Sequence, residues 1–239
     1  MNQRENNDQG DHETPGLRLF LDSALPRDWA RFLTLGGFYG VTTNPLLLQR
    51  ADQPCTLDNL QRIVLAVAEY GVQEIQVQTW GESVSEMTEC GEQLAGLHSM
   101  STSIVIKVPA TETGFQVAKH LKAKGHRVTM TAVYTTGQVL LAAGFEAAYA
   151  APYLNRLIDA GQPGREIVLT MDRILAGSAA PTRLLVASLR SAQQVLDLAE
   201  RGLDTFTFGP QVAAELLSSD LTTAAAQEFQ EAADEMGRE

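Results

Sequence analysis

The chain alternates between two hydrophobic periods from Leu17 onward, and this alternation restricts the possible folds more than any other feature. Short apolar runs rich in β-branched residues predict strands, and apolar residues spaced three and four positions apart predict the helices between them. Parallel strands need long crossover connections, which a regular strand–helix alternation supplies. The predicted strands span residues 17–22, 40–44, 74–80, 103–110, 127–134, 147–153, 183–190 and 204–210.

Eight strand–helix units in 239 residues favour one closed barrel over an open doubly wound sheet, because (β/α)₈ TIM barrels typically have about 250 residues. We therefore expect a single barrel domain over residues 17–239, with an additional C-terminal helix over 220–237. The helix before the seventh strand has the weakest pattern and is expected within 164–177. Residues 1–16 contain no apolar run and are expected to form a disordered tail.

Composition excludes several classes of function. A net charge of −11 argues against a nucleic-acid-binding surface, which would need clustered Lys and Arg. No stretch approaches the roughly 18 apolar residues of a membrane span, and the N-terminus lacks the hydrophobic region of a signal peptide. The two cysteines form no CxxC pair, and the histidines form no metal-binding motif. We therefore expect a cytoplasmic protein that binds no membrane, nucleic acid or metal.

The run "SIVIKVPAT" places Lys107 inside an otherwise apolar strand. Lysine is seldom buried without a partner, although a strand lysine can extend to solvent. Val105 and Lys107 share one face of this strand. In a barrel one face looks into the packed interior and the other toward the helices, so the open mouth is the remaining place for the ammonium group. Apolar surroundings disfavour the charged form of an amine, and a neutral amine can form a Schiff base with a carbonyl carbon.

Polar residues recur at the C-terminal ends of the predicted strands, where barrels of this type build their active sites. The last strand offers only Gly209, and the strand interiors are expected to be mostly apolar. Taken singly, most of these residues could be helix caps, turn residues, surface charges or core groups, but together they indicate a site. The candidates are Asp22, Thr42, Asn44, Gln78, Lys107, Thr131, Tyr153, Arg156, Ser188 and Arg190.

Two arginines and a serine at the ends of the sixth and seventh strands predict an anion clamp. The planar guanidinium groups of Arg156 and Arg190 suit a phosphate, and barrels often bind phosphate in their later loops. With Lys107, this predicts metal-free Schiff-base chemistry on a phosphorylated carbonyl compound.

The motifs around these residues resemble a known family. The segments "LFLDSA", "GVTTNPLLL", "IVIKVPATETG", "TAVYTTGQVLLAA", "APYLNRLIDAG" and "LLVASLR" occur in the order and spacing of the transaldolase family. They are most similar to its small members of the fructose-6-phosphate aldolase type, and the likeness extends from Leu17 to the C-terminal helix. The resemblance implies a (β/α)₈ barrel and class I aldol chemistry without a cofactor.

The resemblance also implies catalytic roles. Lys107 would form the Schiff base with the ketone of a dihydroxyacetone unit, and Asp22 would assist proton transfer and hold a substrate hydroxyl. Gln78 and Thr131 would position a water molecule. Tyr153 would act as the general acid/base or assist it.

The remaining candidates are implied to bind substrate. Thr42 and Asn44 would orient the sugar. Arg156, Ser188 and Arg190 would bind the phosphate of the aldehyde half.

Two positions separate activities within the family. Transaldolases resemble one another in having Glu and Phe where this chain has Gln78 and Tyr153, whereas the aldolase subgroup has Gln and Tyr. The chain departs from the family pattern at Leu46 and Leu189, which replace Ser and Phe. We therefore expect an aldolase that cleaves or forms fructose 6-phosphate from dihydroxyacetone and glyceraldehyde 3-phosphate. The alternatives are a transaldolase that moves a dihydroxyacetone unit between sugar phosphates or sulfosugars, and a non-catalytic sugar-phosphate-binding barrel.

The C-terminal helix bears on assembly. Small members of the family form rings, often decamers, in which this helix packs on a neighbouring subunit, so the resemblance implies a homo-oligomer. Leu221, Ala225 and Phe229 would lie near one face of the helix. The alternative is that the helix closes its own barrel.

Overall fold

The computed structural model describes residues 16–237, and the tail predicted over residues 1–16 lies, but for Gly16, outside the described residues. The strands follow the predicted positions closely. They are β1 (Arg18–Asp22), β2 (Gly40–Thr42), β3 (Glu74–Gln78), β4 (Ser103–Pro109), β5 (Val128–Val133), β6 (Tyr149–Pro152), β7 (Arg183–Leu184), β8 (Val186–Leu189) and β9 (Thr205–Phe208).

All strand pairs in this part of the chain are parallel, and the nine strands fill eight positions of a barrel. The strand predicted over 183–190 is interrupted at Leu185 and becomes β7, which pairs with β6, and β8, which pairs with β9. Leu185 N donates to Ala150 O at 2.9 Å, and a parallel bridge joins Tyr153 to Ala187. The interrupted strand therefore closes the sheet, which confirms the (β/α)₈ barrel.

Helices alternate with the strands as predicted, and most begin at a Ser, Thr or Asn whose side chain accepts a backbone N–H. The helix expected within 164–177 is α8, and α11 is the additional C-terminal helix. Between residues 16 and 237 no helix is long and apolar enough to cross a membrane. The helices are α1 (Pro26–Phe32), α2 (Pro45–Arg50), α3 (Leu57–Ala68), α4 (Val84–Ala95), α5 (Glu112–Ala123), α6 (Thr136–Gly144), α7 (Leu154–Asp159), α8 (Gly164–Ser178), α9 (Ala192–Ala199), α10 (Pro210–Leu217) and α11 (Asp220–Met236).

The expectation that the strand interiors are mostly apolar is wrong at the N-terminal end of the barrel. Tyr149 donates its hydroxyl to Glu74 Oε2 at 3.1 Å, and Thr129 donates to Gln76 Oε1 at 2.8 Å. Both bonds join strands that are not neighbours, so they cross the interior. We call this buried polar cluster the floor network; its members are Arg18, Glu74, Gln76, Arg127, Thr129 and Tyr149.

Candidate active site

The predicted site residues meet because side chains alternate along each strand. On β1 the interior face carries Phe20 and then, two residues on, Asp22 at the C-terminal end; on β4 it carries Val105 and then Lys107. On each strand the interior side chains, spaced two residues apart, extend from the floor network to the opposite end of the barrel. We call this C-terminal end the mouth. A cavity of about 140 Å³ opens there. The predicted residues that line it are Asp22, Asn44, Lys107, Thr131, Tyr153, Arg156 and Ser188.

Lys107 is buried at the base of this cavity, with 4% of its surface exposed, so it does not extend to bulk solvent. Its Nζ donates to the main-chain oxygen of Thr43 at 2.9 Å. Within residues 16–237 no carboxylate lies at ion-pair distance from Nζ. The Lys107 amine therefore lines the cavity with one main-chain hydrogen-bond partner, a position from which an amine can attack a carbonyl carbon.

The Asp22 carboxylate is held at the mouth by a buried hydroxyl. Thr42 Oγ1 donates to Asp22 Oδ1 at 2.6 Å and lies 2.5 Å from Thr207 Oγ1. Thr42 has no exposed surface and is not among the residues that line the cavity, so it orients Asp22 from behind. Helix α1 begins after Leu25 and has no side-chain cap, which removes the alternative that Asp22 is the cap.

Thr207 is a cavity residue that the sequence interpretation missed. The expectation that the last strand offers only Gly209 is wrong, because the polar residue lies two positions before it. Thr205 and Thr207 alternate with Phe206 and Phe208 in β9. That alternation is the signal that could have identified Thr207.

Tyr153 and Thr131 form a hydroxyl pair in the cavity that Lys107 also lines. Their oxygens are 3.0 Å apart, so the Tyr153 hydroxyl bonds to a side chain rather than to a core carbonyl. The Tyr153 ring packs edge-on against Tyr134, and the Arg156 guanidinium lies 5.0 Å from the ring centroid on its face. Contacts on both sides of the ring therefore fix where its hydroxyl points.

Two β-bulges shape the mouth. The register shifts between Met130 and Val133 on β5 and between Val186 and Leu189 on β8. Ala132 and Ser188 lie at these shifts with φ angles of 54° and 58°, in the left-handed region that non-glycine residues seldom adopt. Bulges redirect neighbouring side chains, and strained backbone of this kind gathers at functional sites.

Three of the predicted site residues do not line the cavity: Thr42, described above, Gln78 and Arg190. Gln78 is partly buried and lies beside Lys107 in the β3–β4 register. Arg190 is exposed and binds Asp159 with both of its terminal nitrogens, one of them at 2.9 Å. This hydrogen-bonded pairing lowers the pKa of the Asp159 carboxyl. An ion pair between the last residue of α7 and the residue after β8 cannot be read from the sequence of either segment.

Helix α2 contributes cavity residues that were not predicted, because the prediction considered only residues at the C-terminal ends of strands. Asn44 accepts the Leu47 N–H at 3.1 Å through Oδ1, so it caps α2 and lines the cavity at once. Leu46, Leu47 and Arg50 of this helix also line the cavity. Arg50 could have been suspected only from its spacing, one helical turn after Leu46.

The chain is similar to known proteins of one family. The family model described as Transaldolase/Fructose-6-phosphate aldolase matches residues 19–239. A probable transaldolase of Chlorobium phaeobacteroides (strain BS1) is 31% identical over 216 residues, which are 89% of this chain and 96% of the relative. A probable transaldolase of Clostridium perfringens is 30% identical over 213 residues, 89% of this chain and 95% of the relative.

A solved structure, native KDPGal, has the same kind of fold. It aligns with a TM-score of 0.56 at 15% identity, over 93% of this chain and 99% of its own. The family match covers the strands from Leu19 onward and all the residues that line the cavity. The chain therefore belongs to the transaldolase/fructose-6-phosphate aldolase family.

Proposed function

We propose that the protein is a class I aldolase that cleaves fructose 6-phosphate to dihydroxyacetone and glyceraldehyde 3-phosphate, or runs the reverse reaction. The observation that carries this proposal is the environment of Lys107. Its side chain is buried, lines the cavity and has no carboxylate at ion-pair distance among the described residues. Such an amine is suited to attack the ketone carbon of a sugar, lose water and form an imine.

The remaining side chains suit the later steps. Asp22 would accept the proton of the substrate hydroxyl next to the breaking carbon–carbon bond, and the bond electrons would move toward the protonated imine to leave a neutral enamine. The aldehyde half would depart with its phosphate near Arg156 and Ser188. Gln78, which neighbours Lys107 on the adjacent strand, would help position water for release of the remaining three-carbon unit.

Tyr153 decides which product follows in this scheme. Its hydroxyl, paired with Thr131 at 3.0 Å, would return a proton to the enamine so that water can release free dihydroxyacetone. Without this proton the enamine persists until a second aldehyde accepts the unit, which is transaldolase chemistry. The second candidate function is therefore transaldolase, the activity that the names of the relatives carry.

Replacing Tyr153 with Phe should move the enzyme toward transfer. We expect release of free dihydroxyacetone without an acceptor to fall by roughly 10²-fold, the usual range for loss of a general acid/base, while transfer to an added acceptor aldehyde is retained. Both are measured on fructose 6-phosphate with and without erythrose 4-phosphate. Tyr70→Phe, two residues after the end of α3 and outside the cavity lining, is the matched control. An unchanged ratio of release to transfer would remove Tyr153 from the role given to it, and wild-type protein that only transfers would reverse the order of the two functions.

We also propose that the protein forms a homo-oligomer, up to the decameric ring implied by its family, through α11. No residue of α11 is buried, so the helix does not close its own barrel. Its side chains Leu221 and Phe229 are 85% and 73% exposed. Exposed apolar residues on one helix are typical of a surface that another subunit covers.

A chain that ends at Ser219 should therefore lose its oligomeric state while the barrel stays folded. Sedimentation velocity would compare the full chain, the shortened chain and Phe229→Asp, with Gln227→Asp as the control for a charge added to the same helix. If the shortened chain sediments like the full one, α11 does not hold the assembly. A full-length chain that is monomeric at all concentrations would contradict the oligomer itself.

A further inference from the structure

We propose that Arg50 is the second cation of the anion-binding part of the cavity, and that with Arg156 it makes the site prefer a phosphate monoester over a sulfonate. The inference rests on the proposed function insofar as the ligand is an acidic sugar. It concerns a residue outside the strand ends, which none of the mechanistic steps above uses.

The geometry of α2 directs Arg50 to the cavity. Asn44 caps the helix and Pro45 occupies its first position, so the start of the helix is fixed directly after β2. Leu46 and Arg50 are four residues apart and share one helix face, and both line the cavity. Arg156, on α7, lines the same cavity. The guanidinium groups therefore approach it from helices that follow β2 and β6.

The charges of this region single out the same two residues. Across the described residues, neither Arg50 nor Arg156 is within ion-pair distance of a carboxylate. Arg190 is neutralised by Asp159. In a chain with 29 acidic and 18 basic residues, this cavity of about 140 Å³ is lined by two guanidinium groups outside any ion pair and by one carboxylate, that of Asp22. The excess of positive charge favours an anionic ligand.

The number of guanidinium groups in the cavity should determine whether a dianion or a monoanion binds more tightly. A phosphate monoester carries close to two negative charges at pH 7, because its second pKa is about 6, whereas an alkyl sulfonate carries one. Two guanidinium groups match the two charges of the phosphate. With a sulfonate, Arg156 alone would balance the charge and Arg50 would add little.

Equilibrium binding tests this without requiring turnover. Glycerol 3-phosphate and 2,3-dihydroxypropane-1-sulfonate, which differ in the charge of the anionic group, would be titrated calorimetrically into the full-length protein and into Arg50→Gln. Hydrogen bonds to charged groups are stronger than neutral ones, but Arg50 is exposed, so we expect the Kd for glycerol 3-phosphate to rise about tenfold. The Kd for the sulfonate should rise less than about threefold, the range of a screened surface charge.

Two further variants separate the site from general electrostatics. Arg50→Lys keeps the charge and should retain most of the phosphate preference, while Arg173→Gln removes an exposed arginine on α8 and should change neither Kd. Equal weakening of both ligands by Arg50→Gln, no weakening, or the same effect from Arg173→Gln would each overturn the proposal. Reductive trapping of dihydroxyacetone on the wild-type protein tests the aldol chemistry separately. Absence of trapping would contradict the proposed function, and the two titrations would still decide the role of Arg50.

Discussion

The Lys107→Met variant should have no measurable aldol activity. Methionine is close to lysine in length and suits an apolar environment, so the substitution removes the nucleophile with little change in shape. If the reaction runs through an imine on this residue, both release and transfer lose their first step. We expect kcat to fall by at least about 10³-fold, as is usual when a covalent nucleophile is removed. The measurement is the rate of glyceraldehyde 3-phosphate formation from fructose 6-phosphate, together with transfer to an acceptor.

Reductive trapping makes this result specific to the residue. Borohydride added in the presence of dihydroxyacetone should attach the three-carbon unit to Lys107 in the wild-type protein and leave Lys107→Met unlabelled, as read by peptide mass spectrometry. Lys124→Met, which removes a surface lysine paired with Glu92, should keep both activity and labelling, because exposed ion pairs contribute little. Circular dichroism would show that Lys107→Met is folded. Turnover that persists in this variant would contradict the proposed mechanism.

The barrel and the position of its mouth could be predicted because each depends on local pattern. Strand and helix periods fixed the order of elements, and the rule that parallel barrels act at the C-terminal ends of their strands gathered Asp22, Lys107 and Tyr153 into one cavity, as the structure has them. The seventh strand was located correctly but not its interruption at Leu185, since a break in pairing depends on the neighbouring strands rather than on the residues of the strand itself.

Contacts between distant residues could not be predicted in the same way. Asp159 and Arg190 are 31 positions apart, and nothing in either segment indicates that they pair. The search for site residues considered only the C-terminal ends of strands, so it could not find Arg50, which lies on a helix. The failure was largest in the floor network. The strand interiors were expected to be mostly apolar, yet Glu74 and Arg18 are buried there, at 0% and 3% exposure.

The floor network has a clear consequence for stability, because Glu74 is the shared acceptor of three donors. Arg127 Nη1 donates to Glu74 Oε2 at 2.7 Å, Gln76 Nε2 donates to Oε1 at 2.8 Å, and the Tyr149 hydroxyl donates at 3.1 Å. Arg18 in turn donates to the Tyr149 oxygen at 2.6 Å. Burial raises the pKa of the Glu74 carboxyl, and the Arg127 guanidinium opposes that rise. A cluster of this kind is sensitive to the loss of one member, since the donors that remain lose their acceptor.

Glu74→Ala should therefore lower the free energy of unfolding by about 3–5 kcal/mol, the usual cost of removing one partner of a buried ion pair. For a chain of this size that corresponds to a decrease in Tm of about 10 °C. Urea denaturation would measure it, with Glu92→Ala, which removes a partly exposed carboxylate paired with Lys124, expected within about 1 kcal/mol of wild type. Glu74→Gln keeps an acceptor oxygen, and its stability should lie between those of Glu74→Ala and Glu92→Ala.

Because the floor network is at the opposite end of the barrel from Lys107, the folded fraction of Glu74→Ala should retain its activity at low temperature. A stability equal to wild type would mean that the network contributes nothing net, and a folded but inactive variant would mean that the floor acts on the mouth.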